Sequence, residues 1–135
     1  MKSYTSDKIR NVALVGHGGC GKTTLLEAAL LTTGVIKRIG KVEDGNTVSD
    51  YDKMEIEKGY SISASIVPVE YNKVKINFID TPGYFDFVGE VNSALRACEA
   101  AIIVVDASSG IQVGTEKAWE SCMEYNIPTF FAINK

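Results

Sequence analysis

Apolar residues recur along this chain at two spacings, and the alternation between them predicts most of its elements. Val12-Ala13-Leu14-Val15 is a short apolar run that reads as a strand starting near Asn11, after a polar, frayed stretch from Met1 to Arg10. A helix follows from about Gly21 to Leu31, with Gly34 as its stop. From Ser63 to Tyr71 the apolar positions fall in either of two sets, Ala64, Ile66, Pro68 and Tyr71, or Ile62, Val67 and Val69. Pro68 cannot donate to a ladder, so this strand belongs at a sheet edge. Asn72-Lys73 is a short turn, and Val74, Ile76 and Phe78 alternate through the next strand, which ends at Asp80. Strands joined by so short a turn run antiparallel.

The second half of the chain changes period again. Val88, Val91, Leu95 and Cys98 share one helical face and predict a helix from about Phe87 to Ala97. Ala100 to Asp106 is continuously apolar up to its last residue, as a strand covered on both faces should be. A third helix, from about Gly114 to Tyr125, places Ala118, Trp119, Cys122 and Met123 on one side. Pro128 leads into a final strand, Thr129 to Ile133. One stretch has no period. Residues from Ile39 to about Gly59 are polar and rich in Lys, Glu and Asp, which predicts a long functional or disordered loop. Helices alternating with buried strands define an α/β sheet, mostly parallel with one antiparallel edge strand and helices on both faces. Ligands of such sheets bind beyond the carboxyl ends of the strands. Thr81–Gly83, Ser108–Gly110 and Asn134-Lys135 all fall at that end.

Composition narrows the class without changing it. The 135 residues suit one domain with a substantial core. A net charge of −3 argues against a general nucleic-acid surface, so no direct DNA binding is expected. Three cysteines, Cys20, Cys98 and Cys122, have no metal-ligand spacing and suit reduced thiols in a cytoplasm. No apolar run approaches the ~20 residues that span a bilayer, and no secretory leader is visible at the N-terminus.

The chemistry is concentrated in Gly16-His17-Gly18-Gly19-Cys20-Gly21-Lys22-Thr23, which fits G-x-x-x-x-G-K-[ST] between the first strand and the first helix. Glycines allow positive φ and a close backbone approach. Successive N–H groups then form an anion-binding concavity in front of a helix N-terminus. Lys22 adds a charge for β- and γ-phosphates, and the Thr23 hydroxyl is a ligand for Mg²⁺. A bare Gly-rich turn is the plain alternative, but it has no use for Lys-Thr after the last glycine. Asp80 at a strand end, with Gly83 three residues on, supplies the second half of such a site: a carboxylate for Mg²⁺ and an N–H for the γ-phosphate.

Together these residues resemble the GTP-binding domain of translational GTPases, specifically elongation factor G and its paralogues. The resemblance runs through Asn11-Val12-Ala13, Gly21-Lys22-Thr23-Thr24, residues 50–59, Asp80-Thr81-Pro82-Gly83, Asp86-Phe87, Gly89-Glu90-Val91, Asp106-Ala107, Gly110-Ile111-Gln112, Asn126-Ile127-Pro128 and Asn134-Lys135. It implies GTP and GDP as ligands, Mg²⁺ as cofactor and the ribosome as partner. The nucleotide would lie on His17, Gly18, Gly19, Cys20, Gly21, Lys22, Thr23, Thr24, Asn134 and Lys135, and the metal on Thr23, Ser61 and Asp80. Lys22, Gly83 and Tyr84 would stand at the reacting phosphate. The aperiodic loop becomes switch I and the Asp80–Gly83 turn opens switch II, both ordered by γ-phosphate and metal; without them, residues from Ile39 to Ser61 are expected to be mobile.

Three departures bear on the reaction. Ser61 stands where the family has Thr, Tyr84 where it has His, and Gly18-Gly19 where it has an apolar residue and Asp. They keep open a second reading, a nucleotide-gated binding module with little hydrolysis. An ATP-using phosphate-loop enzyme is a third, opposed by Asn134-Lys135, a pair that guanine-specific relatives follow with x-Asp. The resemblance also implies a G domain cut before its last strand and helix.

Overall fold

A computed structural model describes residues 3–135; the first two residues of the N-terminal stretch lie outside them. The helices and strands follow in the order β1 (Ile9–Val15), α1 (Lys22–Thr32), α2 (Lys53–Lys58), β2 (Ser65–Tyr71), β3 (Val74–Asp80), α3 (Val88–Ala97), β4 (Ala100–Asp106), α4 (Val113–Glu124) and β5 (Thr129–Asn134). The five strands form one sheet in the order β2-β3-β1-β4-β5. Of these strands only β2 and β3 pair antiparallel; β1–β3, β1–β4 and β4–β5 are parallel. The mixed sheet with an antiparallel edge is the one the hydrophobic pattern predicts, and Pro68 sits on the edge strand β2.

Alternation along the strands sends side chains to two cores. Ala13, Val15, Ala101, Ile103 and Val105 face α3 and α4, where they meet Leu95, Cys98, Ala118 and Cys122. Leu14 faces the other way, and with Val67 and Val69 it packs on Leu26 and Leu30 of α1. Of the two possible registers in the edge strand, burial selects Val67 and Val69; Ile66 is exposed. Fully burying one such aliphatic side chain stabilises the fold by about 1.5–3 kcal/mol.

The register positions the site. Leu14 pairs with Asp80 and Asp106 with Asn134, so the strand ends of β1 and β3, and of β4 and β5, finish level. The chain leaves β1 for β3 on one side and then crosses to β4 on the other. The crevice beyond the carboxyl end of β1 is therefore the topological switch point.

Local chemistry explains the turns. Asn72 and Lys73 both have positive φ, 49° and 65°, the pair of left-handed residues that a two-residue hairpin with matching twist requires. The end of α1 folds back as Val35 N–H donates to the Leu30 carbonyl, with Gly34 left-handed at φ 74°.

Four expectations need correction. β1 begins at Ile9 rather than Asn11, because Ile9 already pairs with Lys75. The stretch read as aperiodic, residues 39–59, contains a 3-10 turn at Val42–Asp44 and the helix α2. α2 is built by a capping box in which the Asp52 side chain accepts from Met54 N–H and Glu55 accepts from Asp52 N–H, with left-handed Gly59 as its stop. In α4, Ala118 and Cys122 are buried but Trp119 and Met123 are exposed; Trp119 lies instead against Phe131 of β5, ring centroids 5.6 Å apart. α3 ends at Ala97, so Cys98 follows it rather than sharing its face; Leu95 and Cys98 are buried, while Val88 is exposed.

Candidate functional site

The loop between β1 and α1 closes on itself through Lys22. Its ammonium donates to the carbonyls of Gly16 at 3.1 Å and His17 at 3.0 Å, and burial pushes its pKa below the ordinary lysine value. Gly21 begins α1 with φ 94°, and a Cβ there would run into the Asn134 amide. Asn134 in turn donates to the Cys20 carbonyl at 3.0 Å. The Lys135 ammonium donates to the Gly19 carbonyl at 2.6 Å and pairs with Asp106 at 3.3 Å. Asp106 is held down at about 2, chiefly by the hydroxyl and N–H of Ser108. Cys20 is buried, and burial pushes its thiol up, so it is an inert wall rather than a nucleophile. His17 Nδ1 accepts from Gly114 N–H at 3.3 Å, tying the loop to the first turn of α4.

Asp80 forms the second corner. It is 1% exposed, and its Oδ2 accepts from the Thr23 hydroxyl at 2.7 Å and the Ser49 hydroxyl at 2.9 Å. Its Oδ1 is buried with no partner. Burial raises its pKa to about 6 against the opposing pull of the two hydroxyls. A buried, unpartnered carboxylate oxygen beside a hydroxyl fits a hard divalent cation, which would supply the charge that burial leaves uncompensated. Among the described residues no three His, Cys, Asp or Glu side chains cluster to hold a metal on their own. Mg²⁺ takes one or two protein ligands and completes its shell with phosphates and water.

Ser61 is placed differently from Thr23. Its hydroxyl donates to Asp50 Oδ1 at 2.6 Å, and Thr47 donates to the same carboxylate at 3.4 Å. Asp50 is 5% exposed, with its pKa raised by burial. Ser61, Asp50 and Thr23 line one cavity of about 210 Å³, together with Lys22, Gly83 and Lys135. Thr24, Gly18, Gly19 and Gly21 border it as well. Gly83 meets the loop closely: a Cβ there would collide with the Lys22 ammonium and lie 2.6 Å from Gly18 N. Tyr84 and Tyr60 also line the cavity, with their rings 4.6 Å apart.

The sequence reading missed Glu27, Ser49, Asp50 and Tyr60. Glu27 is 1% exposed on α1 and accepts from Gly40 N–H at 2.7 Å and Val48 N–H at 2.6 Å, fastening residues 40–48 to the helix. A carboxylate among the apolar positions of α1 was the available signal. Ser49 lies in the aperiodic stretch, which offers no signal that separates it from its other polar residues, whereas Asp50 opens the 50–59 stretch that carries the resemblance but is given no role there.

A glycine loop at the switch point, a buried Lys-Thr and a strand-end Asp with a free oxygen define a phosphate-loop nucleotide-binding domain. Residues 7–135 match the family described as the elongation factor Tu GTP binding domain, and the chain belongs to it. It is 42% identical over 127 residues to the elongation factor G-like protein of Mycobacterium tuberculosis (strain CDC 1551 / Oshkosh), covering 94% of this chain and 18% of that protein. It is 41% identical over its whole length to elongation factor G of Granulibacter bethesdensis, covering 20% of that protein. A crystal structure from Thermus thermophilus superposes with a TM-score of 0.90 at 42% identity, covering 93% of this chain and 19% of that one. Translation elongation factor SelB from Methanococcus maripaludis, solved with the GTP analogue GppNHp, superposes at 0.67 and 25% identity, covering 92% of this chain and 21% of that one. The chain therefore spans about one fifth of the length of these relatives. Among the described residues no helix is long and apolar enough to cross a membrane.

Proposed function

We propose that this chain is the switch domain of an elongation-factor-G-like protein, which binds GTP with Mg²⁺ and hydrolyses it to GDP and phosphate with the ribosome, in the cytoplasm. The observation that carries the proposal is the buried, unpartnered Oδ1 of Asp80, on the carboxylate that accepts from the Thr23 hydroxyl, while Thr23 itself lines a cavity walled by Lys22 and the glycine loop. The names of the relatives support the ribosomal setting, and the SelB complex supports the guanine ligand.

In this reading Lys22 exchanges two loop carbonyls for β- and γ-phosphate oxygens; its lowered pKa reflects a burial that those anions relieve. Loop N–H groups and Gly83 N–H cradle the phosphate chain. Thr23 and Asp80 would hold the metal, and the Ser61 hydroxyl, here donating to Asp50, would be a further ligand. When bound, Mg²⁺ neutralises charge on the β- and γ-oxygens. Water attacks the γ-phosphorus, the bond to the β–γ bridging oxygen breaks, and the proton leaves with phosphate. Asn134 and Lys135 brace the loop under the base. An exposed β5, with Phe130, Phe131 and Ile133 open to solvent, supports a further strand and helix completing the domain there.

Tyr84 favours a slower variant of the same reaction. A phenol can place a water but carries no positive charge near neutral pH, unlike imidazole. The test is single-turnover release of γ-phosphate by the complete protein, with and without ribosomes. Ribosome-stimulated release supports hydrolysis; tight GTP binding with no release at either condition leaves the nucleotide-gated binding module.

A further inference from the structure

The loop glycines are not all there for the same reason. Gly16, Gly19 and Gly21 have positive φ, whereas Gly18 does not. What excludes a side chain at position 18 is the Tyr84 ring: a Cβ there would lie 3.1 Å from Cζ and 3.2 Å from both Cε atoms. The same ring lies 4.6 Å from Tyr60, at an interplanar angle of 55°. Tyr60 follows the end of α2, and Tyr84 follows the turn after β3. Tyr84 also stands between two cavities, the nucleotide cavity of about 210 Å³ and an apolar cleft of about 240 Å³ between that turn, α3 and α4. With open space on both sides, the ring is located by Gly18 beneath it and Tyr60 beside it.

We propose that Gly18, Tyr60 and Tyr84 form an aromatic clasp over the phosphate end of the nucleotide cavity. In it Tyr84 fills the volume that Gly18 leaves empty and ties the segment after α2 to the turn after β3. The clasp makes Tyr60 and Tyr84 positioning residues that slow nucleotide exchange, and it makes glycine at position 18 a requirement of Tyr84 rather than of the backbone. It rests on the guanine-nucleotide reading above. A side chain at position 18 and a tyrosine at position 84 compete for one volume. Loss of either ring frees the other segment, so the two aromatic contributions are a single interaction.

The test is dissociation of N-methylanthraniloyl-GDP from the complete protein, chased with unlabelled GDP in a stopped-flow fluorimeter. Tyr60→Ala and Tyr84→Ala should each speed dissociation by about two- to tenfold, the range expected for one aromatic pair. The Tyr60→Ala/Tyr84→Ala double variant should be no faster than either single one, and Tyr84→Phe should remain slow. Gly18→Ala should be as fast as Tyr84→Ala and add nothing in the Tyr84→Ala background, with unchanged melting temperatures. Single-variant factors that multiply in the double variants would overturn the clasp while leaving nucleotide binding intact. Failure of the wild-type protein to bind the labelled GDP would overturn the clasp and the guanine reading together.

Discussion

Replacing Glu27 should loosen residues 40–48 and leave α2 untouched. Its carboxylate is buried and accepts two backbone N–H groups, from Gly40 at 2.7 Å and Val48 at 2.6 Å. Hydrogen bonds to a charged acceptor contribute ~1.5–3 kcal/mol each. Glu27→Gln keeps one acceptor oxygen but turns an amide NH₂ toward the other N–H, so it should cost about 2 kcal/mol. Glu27→Ala abandons both N–H groups, partly recovered by water once the segment swings out, and should cost about 4 kcal/mol. In a domain of this size 1 kcal/mol moves the melting temperature by about 4 °C, so Glu27→Gln should melt about 8 °C lower. Circular dichroism gives the melting shift, and hydrogen exchange read by mass spectrometry locates it. Exchange should accelerate across residues 40–48 and stay unchanged in α2, whose capping box is independent of Glu27. A Glu27→Gln protein that melts within about 2 °C of wild type, with protected amides at 40–48, would refute the reasoning.

Two further outcomes follow from the contacts of Gly83 and Tyr84. Gly83→Ala should weaken GDP binding and lower the melting temperature together, because its Cβ collides with the Lys22 ammonium and with the Gly18 backbone, which must shift to admit it; equilibrium titration of GDP and a thermal melt read the two effects, and an unchanged melt would contradict this. Tyr84→His should raise single-turnover GTP hydrolysis on ribosomes, by up to ~10²-fold if a developing charge is unmet by the phenol; an unchanged rate assigns Tyr84 to the clasp alone.

The parts of this molecule that were legible in its sequence are those in which one residue type has one use. The continuous apolar run at Ala100–Asp106 could only be a covered strand. Lys22-Thr23 after four glycines specified the loop. Asp80 and Asn134 were recognisable because the sheet brings strand ends level. What escaped depends on partners far apart in the chain. Asp52 and Glu55 cap a helix of six residues, too short for a hydrophobic period to mark it, so only its D-x-x-E start and Gly59 stop betray α2. Ser61 carries the right hydroxyl, yet in this conformation it bonds Asp50, and Ser49 reaches Asp80 instead. Sequence names the candidate ligands; which one is engaged depends on the conformation of the segment. Helical spacing puts Trp119 on one side of α4 with Ala118 and Cys122, but spacing alone does not say that Trp119 stays exposed and lies against the Phe131 ring of β5.

The central claim is that the cavity at the end of β1 takes a guanine nucleotide with Mg²⁺ through Lys22, Thr23 and Asp80. The most direct test is isothermal titration of the complete protein with GDP, GTP and ATP, with magnesium and with a chelator, alongside Lys22→Ala and Asp80→Asn. Binding should be strong for both guanine nucleotides and absent for ATP, lost in Lys22→Ala, and insensitive to magnesium in Asp80→Asn while magnesium-dependent in wild type. Equal binding of ATP, or magnesium dependence that survives Asp80→Asn, would contradict the account.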